Sequence, residues 1–544
     1  MAQQTNGSPI PSIPPTRHSH SPSKRLPSDP PPVHSDDPSD CLNFPDSIPT
    51  NRDSDGRLEV SSDSATLNLP SLLPFLPNDY GNALRILSHH GCNLAYIADS
   101  HVWMVWDGHR WTFDYSSILT RRLATQTIHR YHEESLDRQS SDTTQSHALS
   151  SLSAGSIRAA LEVAQPLASQ LSLSDLDTHP DLLNFSNVTL DLRTGTSPPH
   201  RQSDYLTKTL RSPYVSDAAY PEWALFLDTI LSSDEEMLEY LQVSLGYTLT
   251  GHTSAKAVFI PYGRGDNGKT TLLSVLRSIL GEYATIIQID SLVSQTQSGN
   301  TSADIADLRG VRFAQTSEAD EHSHLSVGTI KRITQGQGTI KSAKKYQNPI
   351  EFPETHKLWL DTNHLPKIDH ANDLALFSRL HPIHFRVRIP KEDQDSRLSS
   401  KLKSESAGIL AWLVDGARMW YSSNRRLPRP AALDREVKSW KQQSDWMERF
   451  LSDRCVVART KDLAKSWSSE ADYLYRIYTE WADEGNDDQS RSRREFGTKI
   501  RSHIGITFRK LSKSNRYFGV KVKASGRMGA AREEQTEQED ETED

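Results

Sequence analysis

An α/β fold built on a parallel sheet is predicted by three observations. The apolar run Ala257–Tyr262 enters a glycine-rich turn and emerges as Lys269–Leu280, with Leu272, Leu273, Val275, Leu276, Ile279 and Leu280 at helical spacing. Two later apolar runs, Val311–Thr316 and Lys357–Asp361, have strand length and end in polar residues, Ser317-Glu318 and Thr362-Asn363. Strand ends bearing Lys269/Thr270, Glu318 and Asn363, in that order, make a coherent nucleotidase core of parallel α/β type.

The turn is the most specific feature. Gly263, Gly268, Lys269 and Thr270 fit G-x-x-x-x-G-K-[ST] between a strand and a helix. Glycines let backbone N–H groups curl around phosphate oxygens, and the helix N-terminus adds its positive dipole end. The expected nucleotide-binding set is Gly263, Arg264, Gly265, Asp266, Asn267, Gly268, Lys269, Thr270 and Thr271. Lys269 is expected on the β/γ-phosphates of a nucleoside triphosphate and the Thr270 hydroxyl on Mg²⁺. Glu318 is the expected carboxylate for metal and attacking water, and Asn363 an amide that senses the γ-phosphate.

Composition sets outer bounds. A chain of 544 residues allows three or four domains. Cys41, Cys92 and Cys455 are too dispersed for a disulfide framework or a zinc knuckle. No apolar run reaches membrane length, so a soluble, cytoplasmic protein is expected. Residues 1–75 hold 14 of the 29 prolines among Ser, Asp, His and Thr, and are expected to be disordered.

Order is expected from about Asp79, with a short helix carrying Ala83, Leu84 and Leu87. Val102–Trp111 reads as a hairpin turning at Asp107-Gly108, its tryptophans assigned to the core in preference to base stacking. The polar run His132–Ser146 reads as a loop and Ser156–Leu171 as a helix. Asp181–Gly195 gives strand-like pieces ending in a turn, and Tyr220–Thr250 is helical, with Trp223, Phe226, Leu227 and Ile230 on one face.

Basic residues cluster in two places despite the net charge of −8. Ile330–Phe352 bears Lys331, Arg332, Lys341, Lys344 and Lys345; Gly336 and Gly338 break its helix and the rest reads as a projecting hairpin, the plain alternative being a solvated basic face. Arg379 precedes a further apolar strand, His381–Phe385, and is either a structural partner or a finger onto a neighbour's γ-phosphate. After a proline-containing connector, Ser490–Gly505 places Arg491, Arg493, Arg494, Lys499 and Arg501 around a helix with Phe496, Ile500 and Ile504 at helical spacing. Phe508–Lys523, with Arg509 and Lys510, follows as a basic ribbon turning at Ser514-Asn515. Helix then basic hairpin is the layout of a winged helix, the alternative being a small packing domain. The acidic tail after Arg532 is expected to compete with DNA for that surface.

Residues from about Asp79 to Tyr421 resemble the helicase part of phage- and plasmid-type primase–helicases, within superfamily 3 and related to the poxvirus NTPase. The resemblance rests on DLLNFSNVTLDLRTG, SLGYTLTGHTSAKAVFIPYGRGDNGKTTLL, LRGVRFAQTSE, GTIKRITQGQGTIKSAKKYQNPIEFPETHKLWLDTNHLP, FSRLHPIHF and SKLKSESAGILAWLVDGARMW, in that order. It implies an AAA+-like ATPase subunit in a homo-oligomeric, hexameric ring that hydrolyses ATP between subunits while DNA passes through the centre. By position it makes Lys269 and Thr270 Walker A, Glu318 Walker B, Asn363 sensor 1 and Arg379 a finger supplied in trans. Lys341, Lys344 and Lys345 would grip DNA. Ser317 replaces the first acid of the usual Walker B pair, and the first 75 residues are too biased for a primase domain, so a separate primase partner is expected.

The expected architecture is a disordered segment (1–75), a mixed α+β N-terminal domain (76–240), an AAA+-like P-loop ATPase domain (241–425), a linker (426–445), a winged-helix-like DNA-binding domain (446–525) and an acidic tail (526–544). The expected function is an ATP-dependent DNA helicase for replication of a phage, plasmid or integrated element. The alternatives are an initiator that remodels origin DNA without processive unwinding, and a DNA-binding scaffold.

Overall fold

A computed structural model describes residues 71–288, 305–316, 325–336, 338–342, 350–366, 368, 373–458, 460–486, 491–512 and 514–523. Residues 1–70 and the acidic tail lie outside the described residues, as do Glu318, Lys344 and Lys345.

Helix α1 (Asp79–His90) starts where the Asn78 side chain accepts the Gly81 N–H at 2.8 Å. Strands β1 (Leu94–Ile97), β2 (Val102–Trp106) and β3 (Trp111–Asp114) form an antiparallel sheet. The β2–β3 hairpin turns as expected: Asp107 Oδ1 accepts the N–H groups of His109 and Arg110 at 2.9 Å, and Gly108 has φ 96°. Trp103, Trp106 and Trp111 are buried, so they serve the core.

The expected loop at His132–Ser146 is largely helical. Helix α2 (Ile118–Asp137) runs through its first part, and α3 (Asp142–Ser151) restarts at Ser141, whose hydroxyl accepts the Thr144 N–H. Few apolar residues are needed there because only one narrow face is buried, through Ile128, Tyr131 and Ala148. Helix α4 (Ala154–Ala164) ends short of the expected Leu171, since Pro166 lacks the N–H a continuing helix needs. Strand β4 (Ser169–Gln170) then joins β1 in parallel.

The hairpin β5 (Leu182–Asn184) and β6 (Thr189–Asp191) precedes α5 (Pro221–Leu231) and α6 (Glu235–Leu249). These lead into β7 (Val258–Tyr262), α7 (Lys269–Leu280), β8 (Ala284–Ile287) and β9 (Phe313–Thr316). Helix α8 (Val327–Ile333) and the antiparallel pair β10 (Thr339–Ser342) and β11 (Ile350–Pro353) come before β12 (Lys357–Trp359) and β13 (Leu380–His384). The central sheet has the order β13-β7-β12-β9-β8 and is parallel throughout. Every residue of β7 is buried, as a strand covered on both faces requires. Phe259 points into the core with Trp359 and Leu272, whereas Val258 and Ile260 face Leu358 and Ala314.

Two boundaries differ from the sequence expectation. Leu183, Phe185, Trp223, Phe226 and Tyr240 share one core with Phe259 and Leu272, so the division expected at 240 falls inside a continuous core. The expected linker 426–445 is mostly helix α10 (Ala431–Ser444), following α9 (Ser406–Ser422). Its Trp440 is buried and donates its indole N–H to the Pro366 carbonyl at 3.0 Å. The polar composition that suggests a linker belongs to the outer face of an amphipathic helix.

The C-terminal module packs α11 (Trp446–Arg454), α12 (Ala471–Trp481) and α13 (Arg493–Arg501) around Trp446, Phe450, Tyr478, Trp481 and Phe496. Strands β14 (Cys455–Val457), β15 (Ser468–Glu470), β16 (Thr507–Lys510), β17 (Asn515–Phe518) and β18 (Val520–Val522) complete it. The ribbon turns at Leu511–Ser514, where the Leu511 N–H meets the Ser514 carbonyl at 3.1 Å. Ile504, expected on the helix's apolar face, is 93% exposed because the helix ends at Arg501.

Helices α6 and α9 cross at two glycines. A Cβ on Gly246 would stand 2.1 Å from the Ala417 nitrogen, and one on Gly416 would stand 2.2 Å from the Gln242 oxygen. Backbone atoms cannot swing aside, so Gly246→Ala should destabilise by at least about 2 kcal/mol. Gly328, inside α8, has open space around it, and Gly328→Ala should be neutral or slightly stabilising. Thermal unfolding of the two variants checks both, and equal midpoints would contradict the close crossing.

Candidate nucleotide site

The loop from Gly263 to Gly268 departs from the end of β7 and turns into α7. Asp266 and three glycines, Gly263, Gly265 and Gly268, have positive φ. Two of these glycines are sterically required. A Cβ on Gly263 would lie 2.4 Å from the Phe385 carbonyl oxygen, and one on Gly268 would lie 2.4 Å from Ile230 Cγ2. The loop is pinned from the β13 side, where Asn267 Nδ2 donates to the Phe385 carbonyl at 3.3 Å and the Ile389 N–H donates to the Asp266 carbonyl at 2.7 Å. Arg264, Asp266 and Thr270 are exposed, and Thr271 is half-buried.

Lys269 opens α7 and is only 3% exposed. Its ammonium donates to the Thr362 carbonyl, to Asn363 Oδ1 at 3.1 Å, and stands 3.1 Å from Asp361 Oδ1. All three oxygens come from consecutive residues just past β12, the strand hydrogen-bonded beside β7. The structure therefore brings Lys269 and Asn363 together, and adds Asp361, which has no role in the sequence expectation. The signal for it was an acid ending a buried strand. The Asp361 N–H also donates to Thr316 Oγ1 at 3.2 Å, tying this end of the chain to the last residue of β9.

On the β13 side of the loop, Tyr262 stacks on His384 with ring centroids 4.4 Å apart. Its hydroxyl donates to Glu436 of α10 at 2.5 Å, and Arg386 Nη2 stands 3.1 Å from the same carboxylate. A cavity of about 160 Å³ opens here, lined by Ile230, Met237, Pro382, His384, Leu433 and Glu436. Ile230 is the residue that touches Gly268 from that side.

Arg379 lies elsewhere. It directly precedes β13, and its carbonyl accepts the Val258 N–H at the start of β7, the end away from the loop. Its guanidinium caps α8, donating to the Thr334 carbonyl at 2.6 Å and to the Lys331 carbonyl at 3.3 Å. Lys331 is ion-paired with Asp373. Lys341 sits directly across from Glu351 in the β10–β11 pair, with ammonium and carboxylate 3.2 Å apart and both exposed. The antiparallel strand pair expected of the hairpin is present, and the Lys344 and Lys345 assignments fall outside the described residues.

Several expected DNA-binding residues of the C-terminal helix have intramolecular partners. Arg493 pairs with Asp472, Lys499 lies 3.0 Å from Asp445, and Arg491 is over the Trp446 ring at 5.9 Å. Arg509 lies over the Phe518 ring at 5.1 Å. Arg494 and Lys510 are exposed.

Residues 83–232 match the model of a family described as D5 N terminal like, and residues 262–379 match that of a family of unknown function (DUF5906). A provisionally named helicase of Acanthamoeba polyphaga mimivirus is 26% identical over 331 residues, covering 57% of this chain and 34% of the relative. These matches agree with the resemblance to phage- and virus-type primase–helicases. A second viral relative, a provisionally named helicase of Invertebrate iridescent virus 3, is 26% identical over 238 residues, covering 41% of this chain and 25% of its own length. The chain thus spans about a third or less of the length of the curated relatives it matches. An apo structure of the NrS-1 C-terminal region overlays with a TM-score of 0.45 at 13% identity, covering 79% of this chain and 96% of that one, a likeness too loose to carry residue assignments. No helix among the described residues is long and apolar enough to cross a membrane.

One titrating group at the stem of the β10–β11 hairpin yields a prediction. Burial pushes the Glu354 carboxyl up to about 7, although it accepts the Gly336 N–H at 3.0 Å. A carboxyl raised in the fold contributes stability below its unfolded value near 4.5, and loses it as pH rises through about 7. Glu354→Gln, which mimics the protonated form, should raise the unfolding midpoint at pH 8, by on the order of 1–3 kcal/mol, and much less at pH 5. Denaturant melts at both pH values measure it, and an equal effect at both would show that the carboxyl titrates normally.

Proposed function

We propose that the chain is an ATP-dependent DNA helicase subunit of the superfamily 3, AAA+-like type, working as a ring, hexameric by the resemblance, in replication of a phage, plasmid, virus or integrated element. The observation that carries this reading is the buried Lys269 ammonium at the mouth of a glycine loop, with the Asn363 amide 3.1 Å away at the end of the neighbouring parallel strand. The close contacts at Gly263 and Gly268 leave a cradle that side chains would fill, which fits a triphosphate held by backbone N–H groups. In this reading Lys269 and the loop amides hold the β/γ-phosphates, Thr270 holds Mg²⁺, Glu318 orients water, and Asn363 contacts the γ-phosphate. The 160 Å³ cavity beside Ile230 and His384 holds the base. ATP supplies the free energy of phosphoryl transfer to water.

Arg379 stands at the opposite end of β7 from its own loop, so service to phosphate is assigned in trans, on a neighbouring subunit. Its capping of α8 links that role to the basic hairpin that follows, assigned to DNA through Lys341, Lys344 and Lys345. The C-terminal module is read as a winged helix contacting DNA through Arg494 of α13 and Lys510 of the β16–β17 ribbon.

A forked duplex with one labelled strand, incubated with Mg²⁺ and ATP, tests the reading. Strand displacement is expected, and Lys269→Ala should abolish it along with turnover, a loss of several kcal/mol of transition-state stabilisation. ATP turnover without displacement would instead identify an origin remodeller, and neither activity a scaffold. For the C-terminal module, Arg494→Ala with Lys510→Ala should flatten the slope of log K against log salt for duplex DNA by up to about 1.8, roughly 0.9 per lost phosphate contact. An unchanged slope would return both residues to a solvated face.

A further inference from the structure

The reading above leaves Asp361 without a part, yet it is the carboxylate nearest Lys269 among the described residues. Its Oδ1 lies 3.1 Å from the ammonium, and the residue is 8% exposed. The placement follows from the sheet. Leu358 and Trp359 pair in parallel with Val258 and Phe259 of β7, and with Ala314 and Gln315 of β9. Asp361, two residues further on, therefore emerges at the same edge from which the glycine loop departs. Its backbone is fixed there independently of the side chain, through the N–H bond to Thr316 Oγ1.

A buried carboxylate at this point has two electrostatic consequences. It fixes the ammonium of Lys269 at the end of β12, together with the Thr362 carbonyl and Asn363 Oδ1, so the lysine's rotamer is set before any phosphate arrives. It also places a negative charge within a few ångströms of the oxygens to which that lysine must donate. Like charges at such a separation in a poorly solvated site repel by several times the thermal energy, unless a cation offsets them. We propose that Asp361 is a positioning residue that makes nucleotide binding depend on Mg²⁺: it orients Lys269 and disfavours the metal-free triphosphate. This inference rests on the assignment of the loop as an ATP site and adds a carboxylate to it from the strand neighbouring β9.

The test is Asp361→Asn in the full chain, read by equilibrium binding of a fluorescent ATP analogue with Mg²⁺ and with EDTA in its place. Asparagine keeps the shape and one acceptor oxygen, and the Thr316 bond is made by backbone, so folding should survive; the thermal midpoint checks this. The parental protein should bind the analogue much more weakly in EDTA. In Asp361→Asn the metal-free affinity should rise about 10-fold or more while the Mg²⁺-supported affinity changes less, so the ratio between the two conditions collapses. A merely structural role would weaken both affinities in parallel, and that result, or an unchanged ratio, overturns the proposal. Lys269→Ala separates the two levels of the argument. If it abolishes binding while Asp361→Asn leaves the ratio unchanged, the ATP site stands and Asp361 has no such role. If the parental protein binds the analogue no better than Lys269→Ala in either condition, the ATP-site reading falls and this inference falls with it.

Discussion

A lysine ammonium with 3% exposure must be surrounded by oxygens, and that requirement organises the middle of this molecule. The oxygens come from Asp361, Thr362 and Asn363, which can reach Lys269 only if β12 runs parallel to β7 and directly beside it. Putting β12 there forces the chain to cross over the sheet after β7, lay down β8 and β9 at one edge, and return to the centre. The same strand begins with a second buried ammonium. Lys357 donates to the carbonyls of Thr250 and Thr355, and its Nζ lies 4.8 Å from the centre of the Tyr247 ring. Burial drives its pKa well below the ordinary lysine value. The central strand is thus held at both ends by polar anchors as well as by its apolar faces.

The loop's shape depends on packing that begins far upstream. Ile230 and Phe226 of α5 press against Gly268, and α5 and α6 are fixed in turn by the glycine-tight crossing with α9. Elements from β5 to α9 therefore share one core with the sheet. The four-stranded sheet of β1–β4 and helices α1–α4 have cores of their own, centred on Trp103, Leu161 and Met104. Arg110 at the β2–β3 turn bridges to Glu282 just past α7.

Much of this was legible in the sequence because local signals and tertiary placement agreed. Leu272, Leu273, Val275, Leu276, Ile279 and Leu280 are all buried, and the four expected strands of the sheet form where their apolar runs stand. Periodicity failed where polarity is compatible with either state. The stretch His132–Ser146 reads as loop but folds as helix because only a narrow face of it is buried, and α10 reads as linker for the same reason. Asp361 was not legible as a partner of Lys269, because a contact between residues 92 positions apart is set by strand order, which no local pattern encodes. The basic helix α13 illustrates the converse. Arg493 and Lys499 are plain in the sequence, but their partners Asp472 and Asp445 are brought to them only by the fold.

Helix α10 joins the two ends of the molecule more closely than a tether would. Glu436 accepts from Tyr262, the last residue before the glycine loop, while Trp440 seals against the Pro366 carbonyl beyond β12. The next helix, α11, starts two residues after α10 ends and already belongs to the C-terminal core. The smallest portion of the chain that keeps the loop's surroundings intact accordingly runs to Ser444 and not to Arg425. Cutting earlier would strip the Glu436 carboxylate from Tyr262 and the Trp440 indole from Pro366, so the parallel-sheet core and the C-terminal module cannot be separated at the point where the composition changes.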